Sequence, residues 1–248
     1  MHINSEGIVF RQVKIGGGRK MIHLFTKKYG KISAGSSISE KSRTKSAMAT
    51  QLFTYSNYEL FKSKEYYNIN GGEVKKSYYK IAEDVDKYMQ ASFVLELTEK
   101  MLPDEVPQPR LFNLLIDFFT EMEKREKKHE TLVLAYEVKA LALMGAFPQL
   151  DQCACCGSKE KLTRFSVKDG GMICGNCANK ANDTLIYQTE FDIVNILKYF
   201  LKTPLHAFER IALDEATAKD LQGILRNYMS YHLDIGTLKS ESFLKEIF

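Results

Sequence analysis

The sequence predicts an α+β protein with several domains, β-rich at the N-terminus and helical afterwards. Three observations predict it. Short apolar runs separated by glycine turns fill residues 1–80, apolar residues then recur at helical spacing, and all five cysteines lie between Cys153 and Cys177. We therefore predict one domain at 1–80 and a second at 81–248, with a cysteine module at 150–180 inside the second.

The N-terminal part reads as about five short strands separated by turns. Glycines mark the turns at 16–18, at Gly30 and at 71–72, because glycine adopts positive φ at little cost. The connections leave no room for crossover helices. A small antiparallel barrel or sandwich is therefore expected.

After residue 80 the apolar period changes to that of amphipathic helices. The segment 102–109 holds three of the five prolines and ends the first helix. Further helices are predicted at 111–123, 131–144, 191–201, 214–233 and 237–248. Asp214 and Thr237 are predicted N-caps of the last two.

Composition excludes several classes of protein. Hydrophobic residues make up 44% and charged residues 27% of the 248 positions, which is typical of globular proteins and not of collagen-like or disordered chains. No run approaches the ~20 apolar residues of a membrane span. The first residues contain no basic segment followed by an apolar one, so we expect no secretory signal and a cytoplasmic location.

The charge is concentrated near the N-terminus. The whole chain carries +4, but residues 7–58 hold ten basic residues and one acidic residue, a net +9, and residues 59–248 carry −4. Such a split favours a polyanionic partner for the N-terminal part. A basic surface that only serves solubility is the alternative.

Four cysteines have the spacing of a zinc site. Cys153, Cys156, Cys174 and Cys177 form the pattern C-x₂-C-x₁₇-C-x₂-C. Each C-x₂-C turn points two thiolates at one ion, and four thiolates leave no open position, so a structural Zn²⁺, one per chain, is predicted. Cys155 fits neither pair and is expected to be a free thiol. Disulfides and an iron–sulfur cluster are the alternatives.

No catalytic pattern is present. The glycine run at 16–18 is not a phosphate-binding loop, the metalloprotease and deaminase signatures are absent, and the five histidines are scattered. We expect a protein that is not an enzyme. A nuclease or phosphotransferase with an unrecognised site is the alternative.

Several segments resemble the bacterial RecO family of recombination mediators. They are Leu24-Phe25-Thr26-Lys27-Lys28-Tyr29-Gly30, the basic run from Lys41 to Ser46, the stretch Tyr136 to Pro148 that runs into Cys153-x₂-Cys156-Gly157, and Leu238-Lys239-Ser240. The helix–Gly–x–x–Pro–cysteine junction is the most specific of them, and the resemblance covers essentially the whole chain.

The resemblance implies an OB-fold barrel, a helical domain and a four-cysteine zinc module. It also implies a nucleoid-associated function in recombinational repair: binding single- and double-stranded DNA, annealing complementary strands, and helping RecA to replace the single-stranded-DNA-binding protein (SSB). The implied partners are RecR and the acidic C-terminal tail of SSB, and family members are not enzymes.

An OB-type groove follows phosphates with Lys and Arg and stacks bases on aromatic rings. We therefore predict a DNA-binding set on the first turn (Lys14, Arg19, Lys20), the second turn (Lys27, Lys28, Tyr29, Lys31) and the Ser/Thr-containing loop (Lys41, Arg43, Lys45). Tyr29 is the preferred stacking residue, whereas Phe25 and Phe53 are expected in the barrel core. The alternative function is a zinc-containing adaptor whose basic face binds an acidic protein.

Overall fold

The computed structural model describes residues 1–17, 19–38, 44–64, 66–181, 185–188 and 191–244. The chain divides into two compact units, Met1–Arg125 and Glu126–Phe248. The first unit extends beyond residue 80 because the helices that follow the strands pack on them. The domain boundary at residue 80 stays a prediction.

The first unit contains a closed five-stranded barrel. Its strands are β1 (His2–Gly16), β2 (Arg19–Thr26), β3 (Gly30–Ser36), β4 (Thr54–Lys62) and β5 (Tyr67–Ser77). Their order around the barrel is β1-β2-β3-β5-β4, and β1 closes it by pairing with both β2 and β4. Of the two expected architectures the barrel is observed. All pairs are antiparallel except the short β3–β5 pair.

The barrel interior is built from the apolar side chains that alternate along the strands. The buried set comprises Ile3, Val9, Ile22, Leu24, Ile32, Ala34, Ala49, Tyr58, Leu60, Tyr67 and Ile69. On β3, Ile32 and Ala34 are buried while Ser33 is exposed. This period of two fixes which face of each strand points outward.

Four helices belong to the same unit: α1 (Lys45–Ala49), α2 (Tyr79–Ala82), α3 (Val85–Met101) and α4 (Pro109–Lys124). The sequence did not predict α1, whose N-cap is Thr44. The proline-rich segment separates α3 from α4 as predicted. Aromatic rings join α4 to the barrel side of the unit, with Phe25 and Phe112 centroids 5.2 Å apart and Phe53 and Phe119 centroids 5.6 Å apart.

The second unit consists of helices and a small sheet. The helices are α5 (His129–Leu143), α6 (Gly175–Lys180), α7 (Ile193–Lys202), α8 (Glu215–Leu233) and α9 (Glu241–Leu244), with a 3₁₀-helix at Leu205–Arg210. The sheet comprises β6 (Leu162–Ser166), β7 (Gly171–Cys174) and β8 (Ile186–Tyr187) in the order β7-β6-β8, and the sequence did not predict it.

The predicted caps have different outcomes. The Asp214 side chain accepts from the Thr217 N–H and caps α8, as predicted. The prediction that Thr237 caps a helix is wrong, because α9 begins at Glu241. Within the described ranges, no helix has the length and apolar character needed to cross a membrane.

Candidate metal centre and nucleic-acid interface

Two short turns position the cysteine pairs. In the first, the Cys153 N–H donates to Ser158 O (2.7 Å) and the Gly157 N–H donates to Cys153 O (2.8 Å). Gly157 has φ +75°, a conformation that favours glycine. The second pair begins where β7 ends, at Cys174, and continues into the first turn of α6 at Cys177. The cysteine pair Cys174 and Cys177 is therefore attached directly to the end of a sheet strand.

The turn that contains Cys153 and Cys156 is hydrogen-bonded to the sheet from which the second cysteine pair extends. The Ala154 N–H donates to Met172 O on β7 (2.8 Å), and the Cys174 N–H donates to the Cys153 sulfur (3.3 Å). Cys153, Ile173 and Cys174 are buried in the small core of this module. Backbone hydrogen bonds thus hold the pairs together although 17 residues separate them in sequence.

The geometry of the four sulfurs fits a tetrahedral metal site. The sulfurs of Cys153, Cys156, Cys174 and Cys177 all lie within 4.8 Å of one another. Cys156 Sγ lies 3.8 Å from Cys174 Sγ, too far for a disulfide bond, which requires about 2.05 Å. With metal–sulfur bonds of ~2.3 Å, the edges of a zinc tetrahedron are about 3.8 Å long. The cluster could therefore bind a metal ion.

The local electrostatics distinguish two of the thiols. Burial raises the pKa of Cys153, but the backbone N–H groups of Cys156, Cys174 and Cys155 outweigh it and lower the pKa to about 6. Partial desolvation and a hydrogen bond with Asp169 raise the pKa of Cys155 to about 11, although the residue is largely exposed. Cys153 is accordingly poised as a thiolate. Cys155, the exposed extra cysteine, lies outside the four-sulfur cluster, as its spacing predicted.

The structure divides the predicted cationic set between the two ends of β2. Lys14, Arg19 and Lys20 lie at the tip of the β1–β2 hairpin, where Lys14 is the register partner of Lys20. Lys27 and Lys28 lie in the turn after β2. At ~3.3 Å per residue, the two ends of this eight-residue strand are roughly 23 Å apart.

At the hairpin tip, Lys14 and Arg19 are exposed, together with the apolar Ile15. Lys20 is only 6% exposed, and its Nζ donates to Gln12 Oε1 (3.3 Å). Lys20 is therefore a supporting residue of the tip, whereas Arg19 presents its charge to solvent.

In the β2–β3 region, two of the three predicted cations have carboxylate partners. Lys27 Nζ lies 3.3 Å from Glu6 Oε2, and Lys31 Nζ lies 3.2 Å from Asp104 Oδ1. A hydrogen bond from Lys75, opposed by burial and assisted by Tyr55 and Lys27, lowers the pKa of Glu6 to about 2, so Glu6 is ionised. Lys28 is exposed.

The remaining predicted positions are described in part. Lys41 and Arg43 lie outside the described residues, and Lys45 is described only through its backbone at the start of α1. Tyr29 is half-buried and packs against the barrel core, and its stacking on bases stays a prediction. Phe25 and Phe53 are buried as expected, but against the Phe112 and Phe119 rings of α4 and not in the barrel core where they were predicted.

Sequence reasoning missed a candidate interface in the β4–β5 connection. Lys64 and Tyr66 are exposed there, and Tyr66 is 58% exposed. The next residue, Tyr67, pairs with Ala34 of β3, while Ser36 of β3 pairs with Lys20 at the hairpin tip. The hairpin tip and the β4–β5 connection therefore both flank the end of β3. A Lys two residues before a Tyr was the only sequence signal.

Comparison with known families decides the identity of the chain. Residues 1–78 match the family model described as recombination protein O N terminal, and residues 82–242 match the one described as recombination protein O C terminal.

The chain belongs to the RecO family.

Curated RecO relatives align over almost their entire lengths. The DNA repair protein RecO of Alkaliphilus metalliredigens (strain QYMF) is 32% identical over 248 residues, covering 100% of both chains. That of Thermoanaerobacter sp. (strain X514) is 30% identical over 246 residues, covering 99% of this chain and 98% of the relative. That of Halalkalibacterium halodurans (strain C-125) is 30% identical over 247 residues, covering 100% and 96%.

The two regions matched by the RecO family models can be compared with the two units of the structure. The N-terminal RecO match contains all five barrel strands, since β5 ends at Ser77. The C-terminal RecO match begins at residue 82 and contains all four clustered cysteines. Helices α3 and α4 thus belong to the C-terminal RecO match in sequence, but to the barrel unit in three dimensions.

Proposed function

We propose that this chain is a non-enzymatic recombination mediator of DNA repair that acts in the cytoplasm. It binds single- and double-stranded DNA through the barrel, anneals complementary strands and helps RecA to load onto SSB-coated single strands. Membership of the RecO family supports this proposal, as do the relatives named DNA repair protein RecO.

The observation that carries the proposal is the pair of exposed loops beside β3. The strand order β1-β2-β3-β5-β4 supports an OB-fold, a barrel that binds oligonucleotides across strands 2–3 and the loops 1–2 and 4–5. Here the β1–β2 tip offers Lys14 and Arg19, and the β4–β5 connection offers Lys64 and Tyr66. Cations that follow phosphates and a ring that stacks on bases are the two components of single-strand binding.

The chemistry of such a surface suits annealing. Phosphate contacts do not read sequence, so any strand is held while its base edges remain free to pair. Neutralising two strands at one surface also reduces their mutual repulsion. If about five phosphates are engaged, log K should fall with log[salt] with a slope of roughly −3.5 for single strands.

We propose that the metal ion is Zn²⁺, one per chain, held by Cys153, Cys156, Cys174 and Cys177. The ion supplies a structural cross-link rather than a reactive centre, because four thiolates leave no position for a substrate. The sheet and the N–H groups around Cys153 pre-orient the ligands, which supports this assignment.

RecR and the acidic C-terminal tail of SSB are the proposed protein partners, on the strength of the family resemblance. The exposed cations of the barrel are suited to an acidic peptide as well as to DNA. This is why an adaptor that binds only an acidic protein is the competing function.

The deciding experiment is the annealing of SSB-coated complementary oligonucleotides with and without this protein. We expect stoichiometric acceleration. Fluorescence anisotropy should show binding of oligo(dT) in dilute buffer, weakened by Arg19→Glu with Lys64→Glu. The control pair Lys168→Glu and Lys219→Glu makes the same charge change on exposed residues of the second unit. An acidic peptide that binds when oligo(dT) does not would favour the adaptor, and metal-dependent cleavage of DNA would indicate an enzyme.

A further inference from the structure

The last turn of α3 and the connection to α4 place carboxylates beside barrel cations. We call residues 99–106, with Glu99, Asp104 and Glu105, the acidic strap. Arg11 Nε lies 2.9 Å from Glu99 Oε1, Lys31 Nζ 3.2 Å from Asp104 Oδ1, and Lys62 Nζ 3.2 Å from Glu105 Oε2. Each of the three acids thus meets a cation from a different strand, β1, β3 or β4.

Backbone contacts fix the acidic strap along β3. The Glu105 N–H donates to Lys31 O (2.9 Å), and Lys31 and Asp104 form a parallel β-bridge. Lys31 Nζ also donates to Glu99 O (3.1 Å). Gly30 permits this approach, since a Cβ there would lie 2.2 Å from Val106 O. The acidic strap therefore pairs with the start of β3, ahead of the Ala34–Gly35 stretch that pairs with β5.

The ion pairs of the acidic strap are accessible to competition. The side chains of Asp104 and Glu105 are 85% and 56% exposed, and those of Arg11 and Lys62 are 53% and 39% exposed. Their partners Glu99 and Lys31 are more shielded, at 13% and 20%, so each ion pair has one well-exposed member. Exposed pairs of this kind contribute about 0–1 kcal/mol each and weaken with salt. They reduce the attraction of the cations for an outside anion without removing it.

We propose that the acidic strap is a built-in competitor of DNA: it holds Arg11, Lys31 and Lys62 in internal ion pairs, limits the number of phosphates that the barrel engages, and directs nucleic acid to the hairpin tip and the β4–β5 connection. This inference rests on the proposed DNA binding. It assigns to the proline-rich segment a role beyond separating two helices.

Neutralising the acidic strap tests the inference. The variant Glu99→Gln, Asp104→Asn, Glu105→Gln removes the carboxylate partners of three cations. For oligo(dT) binding, the slope of log K against log[salt], the salt slope, should steepen by about 2, since each added phosphate contact contributes ~0.7. At ~50 mM salt the variant should bind oligo(dT) more tightly than the parent does. Between ~50 and ~200 mM salt its affinity should fall by a factor about 15 to 20 times larger than the parent's.

A matched control separates release of cations from a general change in charge. Glu73→Gln, Glu83→Gln and Asp86→Asn alter exposed acids of the same unit. None of the three lies within 4.0 Å of a cationic group among the described side chains. This control should keep the parental salt slope. Equal steepening in both triple variants, or none in the strap variant, would overturn the inference.

Two further measurements keep the outcomes distinct. Circular dichroism and thermal denaturation establish that the triple variants fold. If the strap variant does not fold, the single variant Asp104→Asn is decisive, because that side chain is 85% exposed, and its slope should steepen by about 0.7. A parent that does not bind oligo(dT) refutes the proposed function, whereas a binding parent with an unchanged slope in the strap variant refutes only the role of the acidic strap.

Discussion

The sulfur atoms of Cys156 and Cys174 lie 3.8 Å apart, one from each cysteine pair. That separation is the edge of a tetrahedron of thiolates around a zinc ion with ~2.3 Å bonds. Backbone hydrogen bonds of the two turns, the Cys174 N–H on the Cys153 sulfur and the small core around them thus hold the four sulfurs together.

Removing one ligand should release the metal. We expect one zinc per chain by elemental analysis, and Cys174→Ser should lose it and lower the melting temperature, because structural zinc contributes on the order of 10 kcal/mol to its module. Cys155→Ser is the control and should keep both the metal and the melting temperature. Unchanged metal content in Cys174→Ser would contradict the assignment.

Because the acidic strap lies so close to Gly30, adding a single methyl group at this position should strongly reduce the stability of the fold. Gly30→Ala places Cβ 2.2 Å from Val106 O at φ +71°, so we expect a loss of stability on the order of 3 kcal/mol or more. Gly17→Ala is a matched control, since φ is +59° and nothing lies within 4 Å of its Cβ. It should cost only about 1 kcal/mol. Chemical denaturation measures both, and equal costs would refute the close approach.

A buried carboxyl in α5 predicts a pH dependence of stability. Glu137 is fully buried, Gln222 Nε2 donates to its Oε1 (3.1 Å), and its Oε2 has no hydrogen-bond partner among the described residues. Burial, opposed by Gln222 and Arg226, raises the pKa of Glu137 to about 8 from 4.5. The folded state thus holds a proton that the unfolded state has already lost above pH 4.5.

The contribution of Glu137 to stability is complete below pH ~4.5 and is lost as the pH rises to about 8, a change on the order of a few kcal/mol. Glu137→Gln should remove this pH dependence and raise the unfolding free energy at pH 8 relative to the parent. The exposed control Glu160→Gln should not. Parallel stability–pH curves for parent and Glu137→Gln would show that the carboxyl is not protonated in the fold.

Burial separates the roles of two adjacent cations at the hairpin tip. Arg19 is exposed, whereas Lys20 is buried and bonded to Gln12. Arg19→Met should therefore make the salt slope for oligo(dT) shallower by about 0.7, and Lys20→Met should leave it unchanged. Both variants remove one charge, so a similar loss of slope in both would mean that Lys20 also reaches DNA.

Local patterns were sufficient to predict the barrel strands and the cysteine cluster, but not the β6–β8 sheet. Glycine turns such as Gly30 mark reversals that the barrel uses, and a C-x₂-C turn fixes two sulfurs within one loop. Helix α1 and strand β8 span only five and two residues, too few for a period to be visible. Their existence depends on packing in the folded chain.

The charge pattern predicted the partner class but not which cations are available. Lys31 and Asp104 are 73 positions apart, and nothing local to either indicates that they pair. Tyr29 was predicted to stack on bases from its place beside a turn glycine, and the packing of its ring against the barrel core decides how much of that ring is exposed. Contacts between residues far apart in sequence determine the exposure of both side chains, and local sequence patterns do not predict such contacts.

The helices that cover the barrel determine where the protein can be cut. The ring of Phe25 packs on Phe112 and that of Phe53 on Phe119, both supplied by α4. A fragment truncated at residue 80 would leave these aromatic surfaces in water and invite aggregation. Limited proteolysis should instead release a stable piece that ends near Arg125, and that longer fragment is the one to express for isolated studies of strand binding.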